Sequence, residues 1–167
     1  MFREMRRNKQ LLPQEENIRI LEKASSGVLA LAGDEGYPYA VPLSFIYHQG
    51  KLYFHCAQEG HKIDAVRRCG KASFCVVEQD QVVPEKRTTW YRSVIVFGSI
   101  RILQDPAEIR AAAALLGDKY SPADPEGSRQ EIEETLPRLC ILELDIEHIS
   151  GKEARELANR RQGAENN

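Results

Sequence analysis

Alternation of apolar and polar residues at period two runs through most of this chain. Over residues 37–48, YPYAVPLSFIYH sets Tyr39, Val41, Leu43, Phe45 and Tyr47 on one face of an extended segment. Gln49-Gly50 predicts a tight turn into KLYFHCA, where Leu52, Phe54 and Cys56 share one face and Tyr53 and His55 the other. The two segments predict a β-hairpin. GVLALA at 27–32, bounded by Asp34, Glu35 and Gly36, predicts a shorter strand and a turn. KASFCVVEQ at 71–79 and WYRSVIVFGSIRIL at 90–103 predict two more strands, joined by a polar loop through Pro84. LCILELDIEHI at 139–149 alternates strongly, with Ile141 out of phase on the opposite face.

Helical spacing fills the gaps. Residues 13–24 carry Ile18, Ile20 and Leu21 among charges and predict a short amphipathic helix, packed as a lid over the strands. EGHKIDAVRRCG at 59–70 has Ile63 and Val66 three apart and Gly70 as a stop, with His61 and Lys62 among its first residues. Asp105-Pro106 opens an alanine-rich helix, PAEIRAAAALLGDKY, in which Gly117 falls where a terminator is expected. A further short helix is predicted at 131–136. The element order describes a β-rich α+β domain, and that many antiparallel strands in one small domain favour closure into a barrel. The length of 167 residues suits a single domain, 1–167, with a loose arm at 1–12 and a polar tail at 155–167. No internal repeat or low-complexity segment is visible.

Charge narrows the function. Lys plus Arg number 23 against 25 Asp plus Glu, a net charge of -2, so no overall field draws the chain to nucleic acid. The one basic cluster, Arg3, Arg6, Arg7 and Lys9, is interrupted by Glu4 and reads as a solvated arm. No apolar run has the length of a signal peptide or a bilayer span, which predicts a cytoplasmic protein with no membrane partner. Cys56, Cys69, Cys75 and Cys140 show no CxxC spacing and lie in apolar or helical patterns, as reduced core thiols do.

Candidate chemistry concentrates at 37–62. Pro42 inside a strand removes a ladder donor; an edge position and a backbone turned toward a ligand both account for it. Gly60, His61 and Lys62 open a helix with free N–H groups, a glycine and a point charge, which suits a phosphate monoester as well as an ordinary exposed first turn. His55, His61 and Cys56 are metal-ligand types, but their spacing fits no closed zinc site, and His55 and Cys56 point to opposite strand faces. His48 and His148 read as surface or strand-end residues. GxGxxG, GxxxxGK[ST] and GxSxG are all absent.

The run YPYAVPL, then YFH followed by GHK, resembles the flavin-binding half of the pyridoxamine 5'-phosphate oxidase-related split-barrel family, and among its members the nitroimidazole-resistance proteins. YRSVIVFGSIRIL and IEHISGKEA agree with it, the latter with Ser150 in place of that family's threonine. The resemblance extends over residues 26–154. It implies a six-stranded antiparallel split β-barrel with flanking helices, which dimerises and holds FMN in two grooves at the interface. By position, Val41, Pro42 and Leu43 would lie along the isoalloxazine, with His55, Cys56 and Ala57 beside the ring and ribityl chain. His61 and Lys62 would bind the phosphate. Trp90, Arg92, Ser93 and Val94 would come largely from the second subunit. In some relatives the histidine matching His55 is reactive, which makes His55 the candidate catalytic residue.

The implied activity is that of an FMN-dependent oxidoreductase, passing electrons from a reduced nicotinamide to a small acceptor such as a nitroaromatic. A flavin protein without turnover, used for sensing or storage, is a second reading. A barrel holding haem or a deazaflavin is a third. The basic, substrate-binding C-terminal segment of the pyridoxamine-phosphate oxidases proper is not recognisable after Leu139.

Overall fold

The alternating segments become one antiparallel sheet, and the helical segments become five helices. The computed structural model describes residues 1–165. The strands are β1 (Ser26–Ala32), β2 (Pro38–Ser44), β3 (Ile46–His48), β4 (Lys51–Cys56), β5 (Lys71–Val83), β6 (Thr88–Ile102) and β7 (Cys140–Glu153). The helices are α1 (Gln14–Lys23), α2 (His61–Arg68), α3 (Pro106–Tyr120), α4 (Pro125–Thr135) and α5 (Arg155–Glu165). Hydrogen-bonded order across the sheet is β2-β1-β5-β6-β7-β4-β3.

The two ends of that order, β2 and β3, are consecutive in the chain with only Phe45 between them. β2 pairs with β1 and β3 with β4, so the sheet does not close on itself. The observed sheet is open and has seven strands where a six-stranded barrel was expected. The cause lies at Phe45, whose side chain is fully buried with its ring 4.7 Å from that of Phe74. Buried backbone groups need partners. Here the N–H donates to the Tyr120 hydroxyl at 2.9 Å, and the carbonyl accepts from Lys119 Nζ at 2.9 Å.

One face of the sheet carries the core. Phe45, Phe54 and Phe74 meet there with Leu29, Leu52, Val94, Val96, Leu142 and Leu144, and Ile20 and Leu21 of α1 cover them as the expected lid. Each such side chain contributes about 1.5–3 kcal/mol by leaving water. Ile141 does face the other way. It joins Leu103, Ile109 and Ala112 in a second cluster under α3.

Capping sets the helix starts. Asp105 accepts the Ala107 N–H at 3.0 Å, Asp124 accepts that of Gly127 at 2.9 Å, and each is followed by a proline at the first helical position. Gly117 does not end α3. It faces α4, where a Cβ would collide with Ser128 Oγ, so it permits close helix packing instead. Gly70 likewise follows the cap rather than forming it, since Cys69 is the C-cap of α2.

The arm and tail are more ordered than their composition suggests. Gln10 and Leu12 are buried, and the Leu12 N–H donates to Gly151 O at 3.1 Å. Within the expected tail, residues 155–165 form α5, and residues 166–167 lie outside the described residues. Arg161 of α5 donates to Leu11 O at 3.1 Å and to Glu153 at 2.9 Å. Glu153 is fully buried and also receives Arg92 at 3.1 Å, so its charge is balanced by two guanidiniums. Among the described residues no helix is long and apolar enough to cross a membrane.

Candidate functional site

α3 and α4 stand over the ends of β2, β4 and β7 and leave a cavity of about 820 Å³ between helix and sheet. The sheet supplies Pro42, Leu43 and Ser44 from β2, His55 and Cys56 from β4, and Ala57 just beyond. From α3 come Ala113, Leu116, Gly117 and Tyr120, and from α4 Ser128, Glu131, Ile132 and Thr135. Both sets follow the i, i+3, i+4, i+7 spacing of one helix face. Leu43, Leu116, Ile132, Leu139 and Ile141 make an apolar lining, with His55, Ser121, Glu131 and Arg138 at exposed positions. An apolar cleft with a few polar groups suits a flat organic ligand with a polar edge.

The edge explanation of Pro42 holds, and the residue also faces a cavity. β2 is the outermost strand, where a strand proline is tolerated, and Pro42 lines the cavity. His55 sits opposite Ile141 in the ladder, on the face away from the core, and its side chain is exposed. Cys56 alternates inward, with its Sγ 3.6 Å from that of Cys140. Burial pushes the Cys56 thiol pKa up, with Cys140 adding to the shift and Lys62 opposing it, so Cys56 is a poor nucleophile. All four cysteines are free thiols.

Gly60 precedes α2 with φ of 114°, a backbone shape that favours glycine. Its carbonyl takes the N–H groups of Ile63 and Asp64, and the N–H groups of His61 and Lys62 belong to the unpaired first turn. The His61 ring turns away from the large cavity. It stacks on Tyr39 at 4.1 Å, and its Nε2 lies 3.3 Å from Asp34, which also holds Arg68 at 2.6 Å. The hydrogen bond from Arg68 holds the Asp34 carboxyl below its ordinary range. Lys62 forms no ion pair among the described residues.

The remaining expected positions lie elsewhere in this subunit. Val41 packs against the core, and the Val94 side chain is fully buried within it, so neither side chain reaches the cavity. Arg92 is held by Glu153, with Glu78 at 4.0 Å. Trp90 lies between Lys86 and Arg160, at 5.4 and 4.5 Å from its ring. Ser93 alternates with Val94 and so faces the outer side of the sheet. Among the described residues no three His, Cys, Asp or Glu side chains group as a metal site. The helical wall was absent from the sequence-based expectations, although the spacing of Ala113, Leu116, Gly117 and Tyr120 carries its signal.

The sequence profile of the pyridoxamine 5'-phosphate oxidase family matches residues 13–153. The chain belongs to that family. The matched region contains all seven strands and both strand walls of the cavity. Solved structures of similar fold include proteins described as flavin-binding. One similar structure is an FAD-binding protein from Mesorhizobium loti, with 27% identity and TM-score 0.60 over 87% of this chain and 97% of that one. Another is the FAD and heme binding protein from Mycobacterium smegmatis, with 24% identity and TM-score 0.74 over 87% and 73%. A third is a candidate 5-nitroimidazole antibiotic resistance protein from Bacteroides thetaiotaomicron, with 21% identity and TM-score 0.70 over 85% of each chain. No curated protein matches the chain in sequence. Within this family member, the first twelve residues and α5 lie outside the matched region.

Proposed function

We propose that this protein is an FMN-dependent oxidoreductase that works as a homodimer and takes electrons from a reduced nicotinamide to a small, flat acceptor such as a nitroaromatic. The observation that carries the reading is one cavity of about 820 Å³ with an apolar lining, joined through residues 57–60 to a helix start with free N–H groups and an unpaired Lys62. The residues fit the cofactor. Pro42, Leu43, Leu116 and Ile132 offer apolar surface to a ring system, and β2 has an open edge for its polar rim. Gly60 and Lys62 offer donors and charge for one phosphate monoester, which favours FMN over a dinucleotide.

The bound flavin would supply hydride or electron transfer. The chain's own residues would orient it, exclude water under α3 and α4, and place the exposed His55 imidazole where it could hold or move a proton on the acceptor. Reading β2, Phe45 and β3 as one bent strand turns the seven strands into the six of a split barrel.

Dimerisation rests on the outer face of the sheet. Val28, Val77, Ile95 and Phe97 are exposed there, and the ladder sets Val28, Cys75 and Ile95 side by side. An apolar patch of this kind suits a second copy of the same chain. Ser93 on the same face would then approach the partner's flavin. Oxidation of reduced nicotinamide by the FMN-loaded protein tests the activity: turnover that disappears when the flavin is removed supports it, and a loaded protein without turnover contradicts it.

A further inference from the structure

We infer a second binding site, for a small polyanion bearing two or more phosphate charges, in the cleft between the N-terminal arm and α5. The cleft has a volume of about 800 Å³, within the range of small-molecule sites. Its walls are the arm around Arg6, Arg7 and Lys9, the start of β6 at Thr88, Thr89 and Tyr91, and α5 from Arg155.

Four cations line it, and the one carboxylate in the lining is Glu156. Arg155 lies 4.0 Å from Glu156, whereas Arg6, Arg7 and Lys9 form no ion pair among the described residues. A free arm would spread such charges apart in solvent. This arm cannot: Gln10 and Leu12 are buried, Leu11 bridges to Lys152, and Arg161 donates to Leu11 O. Like charges are therefore held around one concavity with Glu156 as the single counter-charge in its lining, an arrangement whose excess positive charge an anionic ligand would neutralise. The hydroxyls of Thr88 and Thr89 and the amides of Asn8 and Asn159 provide neutral polar contacts for the rest of such a molecule.

Much of the lining comes from the two ends of the chain. The arm and α5 both fall outside the region that matches the family, 13–153. The site is separate from the cavity under α3 and α4 and does not depend on the proposed flavin chemistry.

The chain has a single tryptophan, Trp90, whose ring does not line the cleft but lies 4.5 Å from Arg160 of α5, the helix that forms one of its walls, so its fluorescence is an indirect reporter and calorimetry the direct one. The test titrates pyrophosphate and ADP into the full-length protein, with and without saturating FMN, by fluorescence and calorimetry. The expected result is saturable binding, at least tenfold tighter than that of inorganic phosphate, weakened by salt and unchanged by FMN. A variant carrying R6A, R7A and K9A should lose at least tenfold in affinity with its unfolding temperature unchanged, and Arg155→Ala on the opposite wall should weaken binding independently. No response at millimolar concentration, equal binding by the variants, displacement by FMN, or a preference for a single-stranded oligonucleotide over ADP would each overturn the assignment.

Discussion

The Tyr120 hydroxyl accepts the Phe45 N–H at 2.9 Å and lies 2.7 Å from the carbonyl oxygen of the same residue, so the last residue of α3 grips the one residue that separates β2 from β3. Lys119, beside it, donates to Phe45 O at 2.9 Å and to Ala24 O at 2.6 Å, and Ser25 O lies 2.6 Å from the tyrosine oxygen. The bend that sends β2 to one edge of the sheet and β3 to the other is thus held by side chains about 75 positions away. Pro42 and Leu43 lie just upstream, so the same clamp positions the strand wall of the cavity.

Tyr120→Phe removes the acceptor and leaves the Phe45 N–H unpaired. The expected cost is about 1–3 kcal/mol of stability, read as a lower urea midpoint with an unchanged m-value. Weaker flavin binding should accompany it, because the clamp orders Pro42 and Leu43. An unchanged midpoint would mean that the bend is held by the packing of the Phe45 ring alone.

Lys62 and His55 should separate binding from chemistry. Lys62→Ala removes the unpaired cation at the start of α2 and should weaken FMN by about tenfold, or ~1.4 kcal/mol. His55→Ala should lower turnover far more than it weakens flavin binding, since the exposed imidazole lies outside the core. Titration with FMN and steady-state kinetics on both variants distinguish the two effects.

Ile95→Arg places a charge in the middle of the outer apolar face. Sedimentation or light scattering should show a dimer for the parent chain and a shift toward monomer for the variant, with the fold kept because Ile95 lies outside the core. A parent chain that is monomeric at every concentration would remove the basis for sharing a flavin between subunits.

Glu143 controls part of the acid stability. Burial alone would raise its pKa, but hydrogen bonds from Arg101 at 2.8 Å and Lys51 at 3.0 Å outweigh burial and leave it below 4.5. A carboxylate depressed in the folded state contributes stability that is fully present above its unfolded pKa and is lost as the pH falls through the folded value. Glu143→Gln should therefore cost about 1–3 kcal/mol at neutral pH. The gap between variant and parent should narrow as the pH drops below about 4.5, measured by thermal unfolding across that range.

Strand positions were legible because local alternation decides which face is buried, down to Ile141, which was expected on the opposite face and lies there in a second cluster. The break at Phe45 was not legible. Its local pattern continues straight through the bend, and the groups that satisfy its backbone come from α3. Polar composition made residues 1–12 look solvated, yet Gln10 and Leu12 are buried against the end of β7 and the tail. For the site, Pro42, Leu43, His55, Cys56 and Ala57 were legible and do line one cavity. Its helical roof was not, because the spacing of Ala113, Leu116, Gly117 and Tyr120 says that a face exists without saying which part of the sheet it covers.

The most direct measurement is the visible absorption spectrum of the purified protein, with identification of the small molecule released on denaturation. The account predicts flavin bands and FMN near one per subunit, either as purified or after FMN is added. A colourless protein that does not take up FMN would contradict it.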